Sequence, residues 1–516
     1  MSHHPFRRDL EPLTGSRRLA SFPTRSVLGA IALVALSACG DDSTDVLSPA
    51  GGAPSAGGAP AEVRRGEQLF SEPFPDSNGR SCATCHVPED NFTLTPARVA
   101  RLLETNPGDP LFSAIDADDP TAETLTFEHL KKGLIRVGLA LPDNMDLIDD
   151  EGNVTTPPDR TLFVWRGVPS LVDSAMSAPF QLDGRVATLE EQAQGAVTGH
   201  SQGGTVPQRE LELIAAFERD LFSSPRARAI AEQLARGAAR EDMPELDGPL
   251  LLSPAEARGR EVYRATCAAC HGGATTNVIV NRDIHDLAFP ALRPDGNVRY
   301  QVPATDPPTP VLAAQPRNEF LNIGSAYEAM QGQFDPDLES FTRDVSFPNY
   351  RYRFYTDASR TEIAADLPPA APPFDNEGGL GGDGGDDGVP PLNPVTAPND
   401  IDELDSDGNP IIGPNFAIQW FSTDPGRSVI TGSPTDFEAF DVPTLRGIGK
   451  TAPYFHNNVA ETLERVADAY SDHFLARFPT LTLPGEKEPD LDGDAGPPEA
   501  LTREQKSDLV AFLKLL

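Results

Sequence analysis

Two pentapeptides with the same spacing of cysteine and histidine constrain this 516-residue chain more than any other feature. They read Cys-Ala-Thr-Cys-His at 82–86 and Cys-Ala-Ala-Cys-His at 267–271. In the spacing C-x-x-C-H, two thiols can add across the vinyl groups of a haem while the histidine ligates its iron. The pattern predicts two covalently attached haem c groups, with Cys82, Cys85, Cys267 and Cys270 as attachment residues and His86 and His271 as iron ligands.

A redox dithiol or a four-cysteine zinc site are the alternatives for these motifs. In a compact zinc ribbon the two cysteine pairs lie about 15 to 20 residues apart, whereas here the gap runs from Cys85 to Cys267. Neither alternative explains why a histidine follows both pairs. The haem interpretation is therefore favoured.

The N-terminus has the pattern of an exported lipoprotein. Residues 1–25 are basic, 27–35 are apolar, and the segment ends in Leu-Ser-Ala-Cys at 36–39. This pattern predicts a signal peptide over 1–38 and lipidation of Cys39, while a transmembrane anchor would need about 20 apolar residues. The Gly-, Ala- and Pro-rich segment 39–61 predicts a flexible tether. We expect a periplasmic protein attached to a membrane by its lipid.

The net charge limits the partners. It is −36 for the whole chain, and it becomes −39 once 1–38, with five arginines and two acidic residues, is removed. This charge disfavours nucleic acid as a ligand, whereas a small basic electron carrier, a cytochrome c or a cupredoxin, would be attracted. The alternative is that the charge serves only solubility. The 51 prolines are about twice the usual share and predict long ordered loops around small helical cores.

Segments with helical apolar spacing flank both motifs. They cover 61–70 and 211–222 around the first motif, and 254–263 and 502–516 around the second. Terminal helices that cross over a haem supply the apolar sleeve of a small cytochrome c domain. We predict a mainly α protein with two cytochrome c-like haem domains and long loop insertions: domains at 62–222 and 253–516, a linker at 223–252 and a large insert at 280–415.

An internal repeat connects the two predicted domains. Val-Pro-Ser-Leu at 168–171 matches Val-Pro-Thr-Leu at 442–445, an offset of 274, and the same offset pairs 178–180 with 452–454 and 188–190 with 462–464. The domains therefore look duplicated. The acidic, Gly-rich segment 375–410 predicts a loop. The Asp-rich segments 405–409 and 490–494 have neither the glycine at position 6 nor the glutamate at position 12 of a standard calcium loop, so we interpret them as turns.

At these residues the chain resembles the bacterial di-haem cytochrome c peroxidase and MauG superfamily. The resemblance rests on both haem motifs, on Asp-Gly-Arg at 183–185, and on the runs 188–193, 424–427, 442–446, 451–456 and 501–516. It covers both haem domains but not the inserts at about 95–160 and 280–415. It implies an oxidoreductase that reduces hydrogen peroxide at the N-terminal haem, with electrons relayed through the C-terminal haem.

The resemblance also implies a second iron ligand for the C-terminal haem. In the family this ligand follows the histidine that matches His456 by fourteen residues, which gives Tyr470. Peroxidases of the family have methionine there and MauG-like proteins have tyrosine, so this haem resembles the MauG-like type. The alternatives are that Tyr470 is a packed aromatic residue, or that His473 is the ligand.

For the N-terminal haem the same comparison predicts an open coordination position. The repeat maps Tyr470 onto Ala196, which cannot bind iron, and no histidine follows His86 before His129. The family's distal glutamate corresponds to Gln202, a candidate catalytic residue that can donate a hydrogen bond but cannot shuttle a proton. His200 is our candidate for that role; a plain loop histidine and a sixth iron ligand are the alternatives.

Other expectations concern the region between the haems. The family's tryptophan before Asp-Gly-Arg corresponds to Leu182, while Trp165 is more typical of a packing residue, and Thr451 and Pro453 match carbonyls that hold a calcium ion between the domains. Residues 350–354 predict a half-exposed strand. Two further functions stay open: MauG-like or oxygenase-like oxidation of a protein or organic substrate, and electron transfer without catalysis.

Overall fold

The computed structural model describes residues 60–149, 151–239, 243, 252–279, 350–368, 422–471 and 501–516, and the backbone of three short strands between 320 and 342. The predicted signal peptide, Cys39, all but the last two residues of the tether, most of the 280–415 insert, the Asp-rich turns and His473 lie outside these residues. Among the residues described, no helix is both long enough and apolar enough to cross a membrane.

Six of the described helices begin after a serine or threonine whose side-chain oxygen accepts a hydrogen bond from a backbone N–H of the first turn. In chain order they are α1 Ala61–Ser71, α2 Cys82–Cys85, α3 Pro96–Thr105, α4 Glu128–Lys131, α5 Leu189–Gly199, α6 Gln208–Glu218, α7 Pro225–Ala235, α8 Pro254–Thr266, α9 Ser428–Thr431, α10 Leu463–Ala469 and α11 Arg503–Leu513. The strands are β1 Leu134–Ala140, β2 Met145–Ile148, β3 Thr161–Gly167, β4 Phe320–Leu321, β5 Gln333–Asp335, β6 Ser340–Thr342, β7 Arg351–Tyr355, β8 Ile363–Leu367 and β9 Phe440–Asp441.

The helices that flank the first haem motif cross at a glycine. A Cβ on Gly66 of α1 would lie 2.0 Å from the carbonyl oxygen of Leu213 on α6, so only glycine permits this approach. One turn later Phe70, 1% exposed, packs against Phe217 with ring centroids 5.1 Å apart. The predicted helix at 211–222 is present but begins three residues earlier and ends at Glu218.

The helices that flank the second motif cross in the same way. A Cβ on Gly259 of α8 would lie 1.9 Å from the carbonyl oxygen of Asp508 on α11. Capping boxes begin both helices, formed by Ser253 with Glu256 and by Thr502 with Gln505. Each N-cap side chain contributes about 1 kcal/mol. The predicted terminal helices are therefore present around both haem motifs.

Local contacts repeat at the offsets found in the sequence. The bridge of Val87 with Thr93 recurs as Gly272 with Val278, and the bridge of Phe180 with Val186 recurs as Tyr454 with Ala460. Thr188 and Thr462 cap α5 and α10 through the same hydrogen bond to the backbone N–H three residues on. The two cytochrome c-like units thus share a local framework as well as a sequence pattern.

The inserts form sheets that were not predicted. β1 pairs with β3, and β2, β7 and β8 form an antiparallel sheet in which β2 comes from the first insert and β7 from the second. The strand predicted at 350–354 is present as β7, but the expectation of a half-exposed strand is wrong. β7 is the central strand, and its Arg351 and Arg353 are partnered by carbonyls of 149, 152 and 368 and by Asp366.

Candidate functional site

Both motif histidines are fixed by backbone carbonyls. His86 Nδ1 lies 3.0 Å from the Phe92 carbonyl oxygen, and the carbonyl of Pro169 is a second partner. His271 Nδ1 lies 3.2 Å from the Thr276 carbonyl and 3.1 Å from that of Pro443. Because a carbonyl only accepts, Nδ1 must carry the proton, which leaves Nε2 of each ring with a free lone pair.

The prolines explain the repeat at 168–171 and 442–445. Pro169 and Pro443, separated by 274 residues, approach the two histidines through their carbonyls. Burial lowers the pKa of both His86 and His271 to about 4. Both rings are therefore neutral at pH 7, as an iron ligand has to be.

The four motif cysteines suit covalent attachment of a haem. All four are free thiols, and the chain places each pair within one short helical turn beside its histidine. Burial raises the pKa of Cys85 and of Cys267 to about 11 and that of Cys270 to about 12. Such buried thiols are neutral, which argues against a redox dithiol, because that chemistry works through a thiolate. The cysteines and the free Nε2 atoms together fit haem c at both motifs.

A buried ion pair lies beside the first motif. Arg80 Nη1 contacts Asp116 Oδ2 at 2.6 Å, and these side chains are 1% and 0% exposed. Arg80 also donates to the carbonyls of Pro110 and Leu111. Sequence reasoning missed both residues because they are 36 positions apart and meet only in the fold.

His200 lies at the C-terminal end of α5 and faces this pair. Its carbonyl accepts from Asn78 Nδ2 at 2.9 Å and from Arg80 Nη1 at 3.3 Å. Its Nδ1 is buried and hydrogen-bonds no group among the described residues. Burial lowers the pKa of His200, Arg80 lowers it further and Asp116 opposes the change. His200 in turn helps to lower the pKa of His86, which places the two imidazoles in one electrostatic environment.

Gln202 is oriented differently from His200. Its backbone is left-handed, with φ of +53°, and its side chain is exposed. Gln202 Oε1 accepts from Asn78 Nδ2 at 3.3 Å. Asn78 therefore connects the two residues. Of these two, only His200 has a buried side-chain atom with no hydrogen-bond partner among the described residues.

Tyr470 lies directly after α10, next to the second motif. Its ring packs against the apolar cluster that includes Cys267 and Cys270, 6.0 Å from the ring of Phe455. Burial raises the pKa of Tyr470 well above its ordinary value, and the Cys270 and Cys267 thiols add to the effect. At the position that matches it in the first unit, Ala196 is half-buried on α5.

The segment before Asp-Gly-Arg contacts the second unit. The Leu182 carbonyl accepts from the Asp441 N–H at 2.8 Å, next to Phe440, whose ring stacks on His456 at 3.9 Å. Trp165 is 5% exposed and stacks on His129 with centroids 4.1 Å apart. His129 Nδ1 lies 2.7 Å from Asp118 Oδ1.

Buried ion pairs lie close to this contact. Arg166 contacts both Asp183 and Asp424, and Arg185 contacts Asp183. Burial works against charge on Asp183, yet Arg185 and Arg166 hold its pKa below its usual range. In the region described, His, Cys, Asp and Glu form no group of three that would bind a metal ion.

Comparison with known proteins gave matches in both units. A family model described as di-haem cytochrome c peroxidase matches residues 60–221, and one described as cbb3-type cytochrome c oxidase subunit III matches 254–303. The chain is 34% identical over 94 residues to cytochrome-c peroxidase IdrP2 of Denitromonas iodatirespirans. That match spans 18% of this chain and about a fifth, 21%, of the relative.

Two solved structures are similar over most of their length. One is a MauG-like protein associated with microbial copper homeostasis, with 18% identity, a TM-score of 0.37 and 90% of each chain covered. The other is hydrazine synthase of Kuenenia stuttgartiensis, with 14% identity, a TM-score of 0.33, and 88% of this chain and 87% of that chain covered.

Proposed function

We propose that this chain, which is a member of the di-haem cytochrome c peroxidase and MauG family, reduces hydrogen peroxide at a haem held by Cys82, Cys85 and His86. The observation that carries the proposal is the buried, unpartnered Nδ1 of His200 in the described structure, beside Arg80 and Asp116 and in the electrostatic environment of His86. A haem c with an open coordination position would bind peroxide and accept electrons.

His86 and His200 have different roles at this haem. His86 is neutral and donates through Nδ1 to carbonyls, so its Nε2 would be free to ligate the haem iron. His200 is neutral because its pKa is lowered, so it can take the proton from the inner peroxide oxygen and return it to the outer one. Arg80 adds a fixed positive charge next to His200. With two electrons and two protons supplied, both oxygen atoms leave as water.

The second unit supplies the electrons in this proposal. Cys267, Cys270 and His271 would hold the second haem c, with Tyr470 as the other iron ligand. A small carrier, a cytochrome c or a cupredoxin, would dock on the acidic surface and deliver one electron at a time. A calcium ion at the carbonyls of Thr451 and Pro453 completes the proposed cofactor set, and metal analysis before and after treatment with a chelator tests it.

We further propose that the protein acts in the periplasm, attached to a membrane through a lipid on Cys39. The basic and apolar residues before Cys39 support this location. Metabolic labelling with a radioactive fatty acid should label the wild-type protein but not the Cys39→Ala variant. Equal labelling would remove the lipid anchor from the proposal.

The decisive experiment for peroxide reduction is an EPR spectrum of the ferric holoprotein, followed by turnover with a reduced carrier and peroxide. One high-spin and one low-spin signal, together with turnover, would support the proposal. Two low-spin signals with no reaction would contradict it and favour plain electron transfer. Loss of one low-spin signal in the His200→Ala variant would then identify His200 as an iron ligand.

Tyr470 favours a second candidate function, the MauG-like or oxygenase-like oxidation of a protein or organic substrate. Its ring lies against the second motif, where a phenolate ligand would favour ferric iron over ferrous iron. High-valent signals that persist after peroxide addition and decay only when a substrate is added would favour this function. Rapid reduction by the carrier would favour the peroxidase.

A further inference from the structure

Helix α6 carries a carboxyl group where its counterpart α11 carries leucine. The close approaches at Gly66 and Gly259 align Leu213 with Asp508. Five residues further on, this alignment pairs Glu218 with Leu513. Leu513 belongs to the apolar cluster that contains Cys270. The duplicated framework therefore accommodates an apolar side chain here, and the acid is specific to the first unit.

Glu218 is buried, and in the described part of the chain no ion pair involves its carboxyl group. It is 2% exposed, and its Oε2 has no hydrogen-bond partner among the described residues. The neighbouring Arg219 points elsewhere, because its Nη2 donates to both carboxylate oxygens of Glu190 on α5 at 2.9 Å. The Ser174 hydroxyl donates to the backbone carbonyl of Glu218 and not to its carboxyl group.

These surroundings favour the neutral form of the acid. Burial raises the pKa of Glu218 to about 8, Arg219 opposes the shift and Glu190 adds to it. On the helix packed across α6, Glu62 is bound to Arg209 at the surface. A group with such a pKa changes its protonation near neutral pH when a nearby charge changes.

Glu218 also acts on the thiol that would carry the haem. Burial is the main cause that raises the pKa of Cys82. Glu218 is the next largest cause, ahead of Cys85 in the same motif. A haem joined to Cys82 by a thioether would therefore have this carboxyl near its edge. Sequence reasoning missed Glu218, although aligning Phe217 with Phe512 would have shown the exchange of leucine for glutamate.

We propose that Glu218 is the proton-binding partner of the first haem and takes up one proton from solvent when that haem accepts one electron. The proposal rests on the proposed attachment of haem at Cys82 but not on peroxide reduction. The electron comes from a one-electron donor, ferric iron becomes ferrous, and the carboxylate becomes a carboxylic acid. The site thereby keeps its net charge, and reoxidation releases both the electron and the proton. Reduction is expected to cause proton uptake and not proton release, because the loss of a positive charge from the iron raises the proton affinity of a nearby carboxylate.

Redox titration of the holoprotein at a series of pH values tests this coupling. The midpoint potential of the first haem should fall as pH rises, and the slope should approach one proton per electron above the pKa that Glu218 has in the ferric protein. The Glu218→Gln variant keeps the shape of the side chain and the Glu218→Leu variant copies Leu513; both should remove most of the slope at the first haem and leave the second haem unchanged. Glu212→Gln, an exposed change on the same helix, should keep the wild-type slope.

Infrared difference spectra between reduced and oxidised protein give a second readout. Reduction of the wild type should produce the C=O stretch of a newly protonated carboxyl, and Glu218→Gln should lack it. An unchanged slope in both variants, or a band that persists in Glu218→Gln, would overturn the proposal. Mass spectrometry that finds no haem at Cys82 would overturn it together with the proposed function. Loss of the slope in a protein that fails to reduce peroxide would leave the coupling standing and refute only the peroxidase.

Discussion

Arg166 Nε and Nη2 donate to the two carboxylate oxygens of Asp424 at 2.7 and 2.9 Å, and both side chains are buried. Arg166 Nη1 donates to Asp183 at 2.5 Å, so one guanidinium joins β3, the Asp-Gly-Arg segment and the loop before α9. Arg427 Nη1 adds a bond to the Asp183 carbonyl at 3.0 Å. The contact connects elements that belong to the two predicted haem domains.

The Arg166→Leu variant should lower the free energy of unfolding by about 3–5 kcal/mol, because Asp183 and Asp424 would stay buried after losing a partner. Denaturant unfolding followed by circular dichroism measures the change. Arg209→Ala, which removes an arginine bound to Glu62 at the surface, is the control and should stay close to wild type. Equal midpoints for the two variants would show that the buried contact contributes little.

The His200→Ala variant should reduce peroxide about 10²- to 10⁴-fold more slowly, the usual range for loss of a general acid–base group. Gln202→Ala is a matched control two residues away, and its exposed side chain predicts nearly unchanged rates. Stopped-flow mixing with peroxide measures the first step for both variants. If both variants lose activity equally, the loop conformation matters and the imidazole does not.

Proton transfer by His200 also predicts the pH dependence of the rate. Burial lowers the pKa of His200, so its neutral form persists below the ordinary histidine value of about 6.5. The rate should therefore stay level as pH falls through about 6.5 and decline only at lower pH, where the imidazole becomes protonated. A decline centred at or above about 6.5 in the wild type, or the same profile in His200→Ala, would speak against this assignment.

The sequence predicted the motif residues and the four terminal helices because their signals are local: fixed spacing for the motifs and apolar periodicity for the helices. It did not predict the sheet of β2, β7 and β8, since Met145 pairs with Phe354 more than 200 positions away and no local pattern records that contact. The same reason hid the contact of Arg80 with Asp116. The prediction of a half-exposed β7 was wrong because alternating arginines in a sequence suggest a solvent-facing side, and only the fold shows that Asp366 binds Arg353.

The Tyr470→Phe variant should change the ferric absorption and EPR spectra of the second haem, because phenylalanine has no oxygen to ligate iron. We also expect the potential of this haem to rise when an anionic ligand is lost. Tyr454→Phe is the control, since the Tyr454 hydroxyl donates to the Ile448 carbonyl at 2.8 Å and has its own partner in the protein. Identical spectra for wild type and Tyr470→Phe would remove Tyr470 as ligand and point to His473.

Glu218 should also make the stability of the folded protein depend on pH. Its pKa is raised from 4.5 in the unfolded chain to about 8 in the folded protein. Its contribution to the free energy of unfolding is therefore complete below pH 4.5 and is lost as pH rises through about 8. Glutamine at this position cannot ionise. Between pH 4.5 and about 8 the wild type should therefore lose a few kcal/mol of stability relative to the Glu218→Gln variant. Thermal unfolding of both proteins at about pH 5 and about pH 9 measures the difference, with Glu212→Gln expected to follow the wild type. A constant difference between wild type and Glu218→Gln across this range would mean that Glu218 is already charged in the folded protein.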